Sequence, residues 1–252
     1  MAPTVVLITG TNRGIGNGIL KVYLQRPNHI VIGANRDPNH PTSRALHDLP
    51  RAEGTSLVLV KIEATSPTDP VEALKELGLK GIHYVDILVA NAGIALRWDK
   101  VKDAKVEDIQ RHFDVNVHGF IYLYQAFRGL LEKSVNPKWV TIGSGAACLT
   151  TLISSYRNFI PVQNAVYAPS KAVQHWYTKA ISVEDPWLTA FPVDPGWVAS
   201  DLGNRGANLL GLERAPVSVE DSATGVVKII DAATKETHSG KLFKHDGKEE
   251  PW

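Results

Sequence analysis

Short apolar runs alternate with amphipathic stretches along the whole chain. Val5-Val6-Leu7-Ile8 is apolar and β-branched, as a strand buried on both faces would be. Comparable runs recur at Ile30–Ala34, Leu57–Ile62, Ile87–Ala90, Trp139–Ile142, Leu188–Val193 and Lys241–Phe243. Between them, apolar positions return at steps of three and four, as at Val71–Leu79 and Val106–Lys133. The longer stretch places Ile109, Phe113, Val117, Phe120, Tyr124 and Phe127 on one helical face. This alternation predicts an α/β chain, with a doubly wound, seven-stranded parallel sheet flanked by helices. Ligands then collect at the carboxyl ends of the strands. Leu149–Ala165 and Gly203–Pro216 break the pattern and read as loops.

The first strand runs straight into Thr9-Gly10-Thr11-Asn12-Arg13-Gly14-Ile15-Gly16, and a helical pattern with Ile15, Ile19, Val22 and Tyr23 on one face follows. Strand, glycine-rich turn and helix form the context of a dinucleotide site on a Rossmann fold. Gly10 allows a tight turn, Gly14 lets the backbone approach a pyrophosphate, and Gly16 lets helix and strand pack closely. The free N–H groups of the helix N-terminus face the phosphate charge.

Tyr167 and Lys171 stand four residues apart, on one face of a helix. A cation beside a phenol favours the phenolate and lowers its pKa, so the pair becomes a usable proton donor or acceptor. Pro169 lies between them and is tolerated only in a first turn, which places the helix start close to Tyr167.

Composition narrows the class. The 252 residues suit one large domain, and no linker divides them. Twenty-seven basic against 26 acidic side chains leave a net charge of +1, which gives no reason to expect nucleic acid or a membrane surface. Cys148 is the sole cysteine, so no internal disulfide forms; it reads as a small buried apolar residue. The nine histidines show no metal-ligand spacing, and His112 and His118 read as packing or surface residues. With the first strand beginning at once and no run long enough to span a bilayer, a cytoplasmic protein is expected.

These motifs, in this order, resemble the short-chain dehydrogenase/reductase family over essentially the whole chain. The resemblance rests on the glycine loop, on Ala90-Asn91-Ala92-Gly93, on Asn116 in Asp114-Val115-Asn116-Val117, and on Ser144 in Ile142-Gly143-Ser144-Gly145. It continues through Tyr167 and Lys171 to Pro195-Gly196-Trp197-Val198, followed by Ser200. Gly196-Trp197-Val198 and the Pro251-Trp252 ending further resemble fungal norsolorinic-acid-reductase-like and sniffer-type carbonyl reductases. The resemblance implies one domain over residues 1–252, with a cofactor-binding half of about 1–140 and a catalytic and substrate-loop half of about 141–252. It also implies a homo-oligomer, dimer or tetramer, although the long Ser144–Tyr167 segment could cover the associating helix face and leave a monomer. Ala90 replaces a first asparagine, Glu63 stands where an aspartate often meets the adenine, and Ser200 replaces a frequent threonine. Asp194 precedes Pro195-Gly196 where a neutral or basic residue is usual; its carboxylate either perturbs nicotinamide binding or faces solvent.

The resemblance assigns the chemistry as follows. Tyr167 donates the proton to a carbonyl oxygen as hydride reaches its carbon, and Ser144 hydrogen-bonds that oxygen. Lys171 depresses the tyrosine pKa and binds the nicotinamide ribose. Asn116 holds a water that links Lys171 to solvent. Gly10, Asn12, Arg13, Gly14, Ile15, Gly16, Asn35, Arg36, Glu63, Asn91, Ala92, Gly93, Pro195, Gly196, Val198 and Ser200 line the cofactor, beside Tyr167 and Lys171 themselves.

Cofactor and substrate are read from fewer residues. Asn35 is neutral where an acid would bind a ribose 2′-OH, and Arg36 and Arg13 could bracket a 2′-phosphate, which points to NADP(H). The competing reading pairs Arg36 with Asp37. NADPH pools drive reduction, so a ketoreductase is expected, with an oxidative alcohol dehydrogenase and a non-catalytic dinucleotide sensor as alternatives. Tyr167 comes 23 positions after Ser144, a longer gap than the family's usual one. Leu149, Leu152, Ile153, Tyr156, Phe159 and Ile160 in that gap, with Trp197, Leu209 and Leu210, suit a bulky aromatic ketone or, equally, a subunit interface or local packing. Ser144, Tyr156, Trp197 and Leu209 are the substrate-contact candidates.

Overall fold

The computed structural model describes residues 2–150, 152 and 163–252. Its strands are β1 (Thr4–Thr9), β2 (His29–Asn35), β3 (Ser56–Lys61), β4 (Ile87–Ala90), β5 (Lys138–Ile142), β6 (Thr189–Asp194), β7 (Leu242–Lys244) and β8 (Glu249–Glu250). They form one sheet in the order β3-β2-β1-β4-β5-β6-β7-β8. All neighbours are parallel except the last pair. The seven expected strands are therefore present, and β8 is an eighth, turned back antiparallel on β7. The turn closes through Gly247, at φ 90°, whose N–H donates to the Lys244 carbonyl at 2.8 Å. A Glu-Glu pair carries no apolar signal, so nothing in the pattern announces this strand.

Alternate residues of each central strand feed two cores. Val6 and Ile8 of β1 join Val31, Val89, Val140 and Phe191 under helices α1 (Gly14–Leu24) and α7 (Val219–Ala232). Val5 and Leu7 join Ile32, Leu88, Trp139 and Ala190 on the opposite face. That face is covered by α2 (Asp69–Leu79), α4 (Gly119–Leu131) and α5 (Tyr167–Glu184). Trp139 is fully buried, with Phe120 and Tyr124 edge-on at 5.1 and 5.2 Å.

Two expectations on helices change. The stretch Val106–Lys133 is not one helix. It is α3 (Val106–Phe113), a π-helical turn over Asp114–His118, and then α4. The segment expected as a loop from Gly203 begins inside α6 (Asp201–Leu209), which the Ser200 hydroxyl caps by accepting the Gly203 N–H at 3.3 Å. Gly203 and Gly206 disfavour helix and thin its apolar face, which hid it. Most of Leu149–Ala165, including Ile153, Tyr156, Phe159 and Ile160, lies outside the described residues. Among the described residues no helix is long and apolar enough to cross a membrane, and no group of His, Cys, Asp and Glu side chains could hold a metal ion.

Candidate active site

The carboxyl ends of β1, β4, β5 and β6 meet on one side of the sheet, and the functional side chains gather there. At the end of β1 the chain turns through Gly10 and Gly14, both left-handed at φ 70° and 57°. A Cβ on Gly16 would stand 2.3 Å from the Gly10 carbonyl oxygen, so only glycine lets α1 enter this close to β1. No side chain caps α1 and no acidic residue lies in its first turn, which leaves its N–H groups to an anion. The glycine loop thus fits a dinucleotide pyrophosphate.

Several expected cofactor residues build this cradle. Asn91 donates Nδ2–H to the Thr9 carbonyl at 2.7 Å, and the Thr9 hydroxyl accepts the N–H groups of Asn91 and Ala92 at 3.0 and 2.9 Å. Asn35 is buried, and its Oδ1 accepts from the Thr11 N–H and hydroxyl at 2.8 and 3.1 Å. Its carboxamide therefore shapes the loop instead of standing open to a ribose. Asn12 bonds Thr42 at 2.9 Å.

The two arginines pair with different carboxylates. Arg13 pairs with Asp201 at 3.2 Å, across to the start of α6. Arg36 pairs with Glu63 at 3.6 Å, not with Asp37. Ile15 packs under the cradle on the α1 face of the core, while Val198 is buried and its backbone pairs with Val217. The Pro195 carbonyl accepts the Ser222 hydroxyl at 2.8 Å.

The four catalytic candidates come together from three elements. Ser144 follows β5; its hydroxyl accepts the Ala146 N–H at 3.2 Å and lies close enough to that of Tyr167, the first residue of α5, to ease ionisation of the phenol. Lys171, one turn on, is 4% exposed; its Nζ donates to the Ile142 carbonyl at 2.8 Å and lies 5.9 Å from the Tyr167 ring centroid. Asn116 sits in the π turn, fully buried. Its Oδ1 accepts the Ile94 N–H at 2.8 Å, and its Nδ2 donates to the Ile94 carbonyl at 3.0 Å and to Ser170 Oγ at 2.9 Å. Ser170 Oγ donates to the Tyr167 carbonyl at 2.7 Å, completing a chain from the β4 loop to α5. Gly93 faces this group: a Cβ there would stand 3.1 Å from Asn116 Oδ1 and 3.6 Å from Lys171 Nζ.

Electrostatics differ from expectation at the tyrosine. Burial disfavours charge on both members of the pair. It pulls the Lys171 ammonium down to about 8. It pushes the Tyr167 phenol well up, and the Asp194 carboxylate pushes the same way, against the Ser144 hydroxyl. Tyr167 is thus held as a protonated donor, not as the phenolate that its spacing from Lys171 suggested. Asp194 does not face solvent. It is 8% exposed and accepts the Gly196 N–H at 3.1 Å, and the backbone of Gly145 lies against its other oxygen.

The substrate candidates are more dispersed. Trp197 is half-buried, its indole N–H spent on the Gly203 carbonyl at 3.0 Å. Leu209 is 66% exposed at the end of α6. Three participants escaped the sequence reading: Thr9, Ser170 and His175, whose Nε2 accepts the Ser144 N–H at 3.2 Å. Only Ser170 carried a signal, as the hydroxyl between Tyr167 and Lys171.

Comparison with known proteins agrees with this geometry. A family model described as short chain dehydrogenase matches residues 4–205. The short-chain dehydrogenase srdF of Neurospora crassa is 39% identical over 253 residues, covering 99% of this chain and 98% of that protein. The norsolorinic acid ketoreductase nor1 of Dothistroma septosporum is 36% identical, covering 99% and 92%. A solved NADPH-bound carbonyl reductase from chicken fatty liver superposes with a TM-score of 0.84 at 25% identity, over 100% of both chains.

Proposed function

The chain belongs to the short-chain dehydrogenase/reductase family, and on that premise we propose that it is an NADPH-dependent ketoreductase acting on a bulky aromatic or polyketide-like ketone. The observation that carries the reading is the Ser144–Tyr167 hydroxyl pair with Lys171 one turn away. A bound nicotinamide supplies the hydride. The Ser144 hydroxyl orients the carbonyl oxygen, and the Tyr167 hydroxyl gives it a proton as negative charge develops there. Lys171, charged below about pH 8, supports that transfer through its field and binds the ribose. Asn116 keeps the β4 loop and α5 in register.

NADPH over NADH is supported by charge. The last residue of β2, Asn35, is neutral and turned inward. The side chains of Arg13 and Arg36 are 71% and 81% exposed, and such surface ion pairs contribute little. Either guanidinium can leave its carboxylate for a 2′-phosphate at small cost. The ketoreductase name of a relative covering 99% of this chain supports the substrate class.

The test is NADPH consumption by the purified protein over ketones from small aliphatics to polycyclic aromatics. Turnover should favour the bulky aromatic members; preference for small aliphatics would refute the substrate class. Tyr167→Phe should bind NADPH as before and lose turnover by roughly 100-fold or more. Undiminished turnover would mean that another group donates the proton.

A further inference from the structure

The Ser144 backbone is held from behind by His175, which stands one turn beyond Lys171 and two beyond Tyr167, on their face of α5. His175 is 3% exposed, and its Nε2 accepts the Ser144 N–H at 3.2 Å. A Cβ at residue 143 would stand 2.3 Å from that nitrogen, so Gly143 is what lets loop and ring approach. Behind the imidazole lies Trp252, edge-on with ring centroids 5.7 Å apart. Trp252 is itself secured: its carbonyl accepts the Thr150 N–H at 3.2 Å, and Lys179 Nζ lies 4.7 Å over its ring. Both ends of the segment from Ser144 to Thr150 are thereby bracketed. Burial, helped by the Lys171 charge, pulls His175 down to about 4, so the imidazole is neutral over the physiological range. A neutral imidazole has one acceptor nitrogen, here Nε2, and carries its proton on Nδ1.

We propose that His175 is a positioning residue for the reduction: it fixes the Ser144 backbone so that the serine and Tyr167 hydroxyls face one carbonyl oxygen, with Trp252 closing the bracket. This rests on the reading of Ser144 and Tyr167 as the groups that meet the substrate. Catalysis of this kind depends on donors placed to within a fraction of an ångström, so a released amide would be felt in kcat before it is felt in cofactor binding.

The experiment is a double-mutant cycle. His175→Phe keeps a ring against Trp252 and removes the acceptor; His175→Gln restores an acceptor. Each is made in the parent and in a Ser144→Ala background, with kcat for a ketone that the parent turns over and NADPH affinity from its fluorescence. His175→Phe is expected to lower kcat about tenfold in the parent, to leave NADPH binding unchanged, and to add no loss once Ser144 is Ala. His175→Gln should regain most of the loss. An equal loss in both backgrounds, or parental kcat in His175→Phe, would overturn the proposal. Full kcat in Ser144→Ala would refute the role of the serine, and the positioning role would fall with it. Should His175→Phe not fold, Trp252→Ala leaves the histidine in place. It is expected to lower kcat several-fold in the parent only, and parental kcat there would count against the bracket.

Discussion

Lys171 faces two demands that pull its proton affinity apart. The role proposed for it needs an ammonium, while its burial disfavours one and brings it to about 8. Tyr167 moves the other way, so it stays protonated well above that pH. An alkaline limb in kcat for ketone reduction therefore belongs to Lys171. Turnover is expected to fall above about pH 8, and a flat profile to pH 9.5 would show that the ammonium is dispensable. The stability effect has a definite sign. Between about 8 and the ordinary 10.5 the unfolded chain holds the proton that the folded chain has lost, so this residue favours folding increasingly as pH rises through that window. Arg36 gives the second test at this scale. Replacing it with Ala removes one of two guanidinium partners for a 2′-phosphate, and the NADPH-to-NADH ratio of kcat/KM should drop about tenfold. An unchanged ratio would refute the assignment. That Tyr167, Lys171, Ser144 and Asn116 lie close together was legible because the family resemblance calls for those types at those places. The inward turn of Asn35 was not, because its partners are the N–H and hydroxyl of Thr11, 24 positions away on another strand's end, and no local pattern joins the two.

Elements were legible wherever burial imposes a period. β4 spans Ile87–Ala90 as expected, and α5 begins at Tyr167, where the proline required it. The π turn at Asp114–His118 was hidden because one extra residue in a turn barely disturbs a three-and-four apolar pattern. Its consequence is concrete. The extra residue swings Asn116 inward, where its carboxamide satisfies both backbone groups of Ile94 and also Ser170. Asn116→Ala would leave the half-buried Ile94 groups and Ser170 without those partners, at a cost of about 2–4 kcal/mol. For a chain of this size that is roughly 5–12 °C in Tm. Thermal melts check it, and a loss under 2 °C would mean that the β4 loop finds other partners. Asn116→Asp keeps the acceptor for the Ile94 N–H and loses both donors, so its melting point should fall between the two.

On the scale of the molecule, the parallel sheet between two helical layers follows from the alternation of runs. The contents of its carboxyl edge do not. Asp194, at the end of β6, is enclosed by groups from four other places. Besides the Gly196 amide two residues on, these are the Gly145 amide after β5, Lys244 of β7, His245 in the following turn and Glu250 of β8, with Tyr167 and Cys148 also within its field. No local pattern joins residues that lie up to about 100 positions apart, so this enclosure was invisible to a reading by windows. Burial is the dominant influence on Asp194 and raises its pKa; the two amides, Lys244 and His245 oppose it without cancelling it. Burial followed by Asp194 raises Glu250 in the same way. A carboxyl whose folded pKa lies above its unfolded value favours folding at low pH. That contribution is lost as pH rises through the folded pKa. Asp194→Asn keeps an acceptor for the Gly196 amide and cannot ionise. Its Tm relative to the parent should therefore rise by a few degrees between pH 4 and pH 8. A difference that is constant across that range would mean that the surrounding groups fully offset the burial. The buried carboxyl would then carry no pH-dependent stability at all.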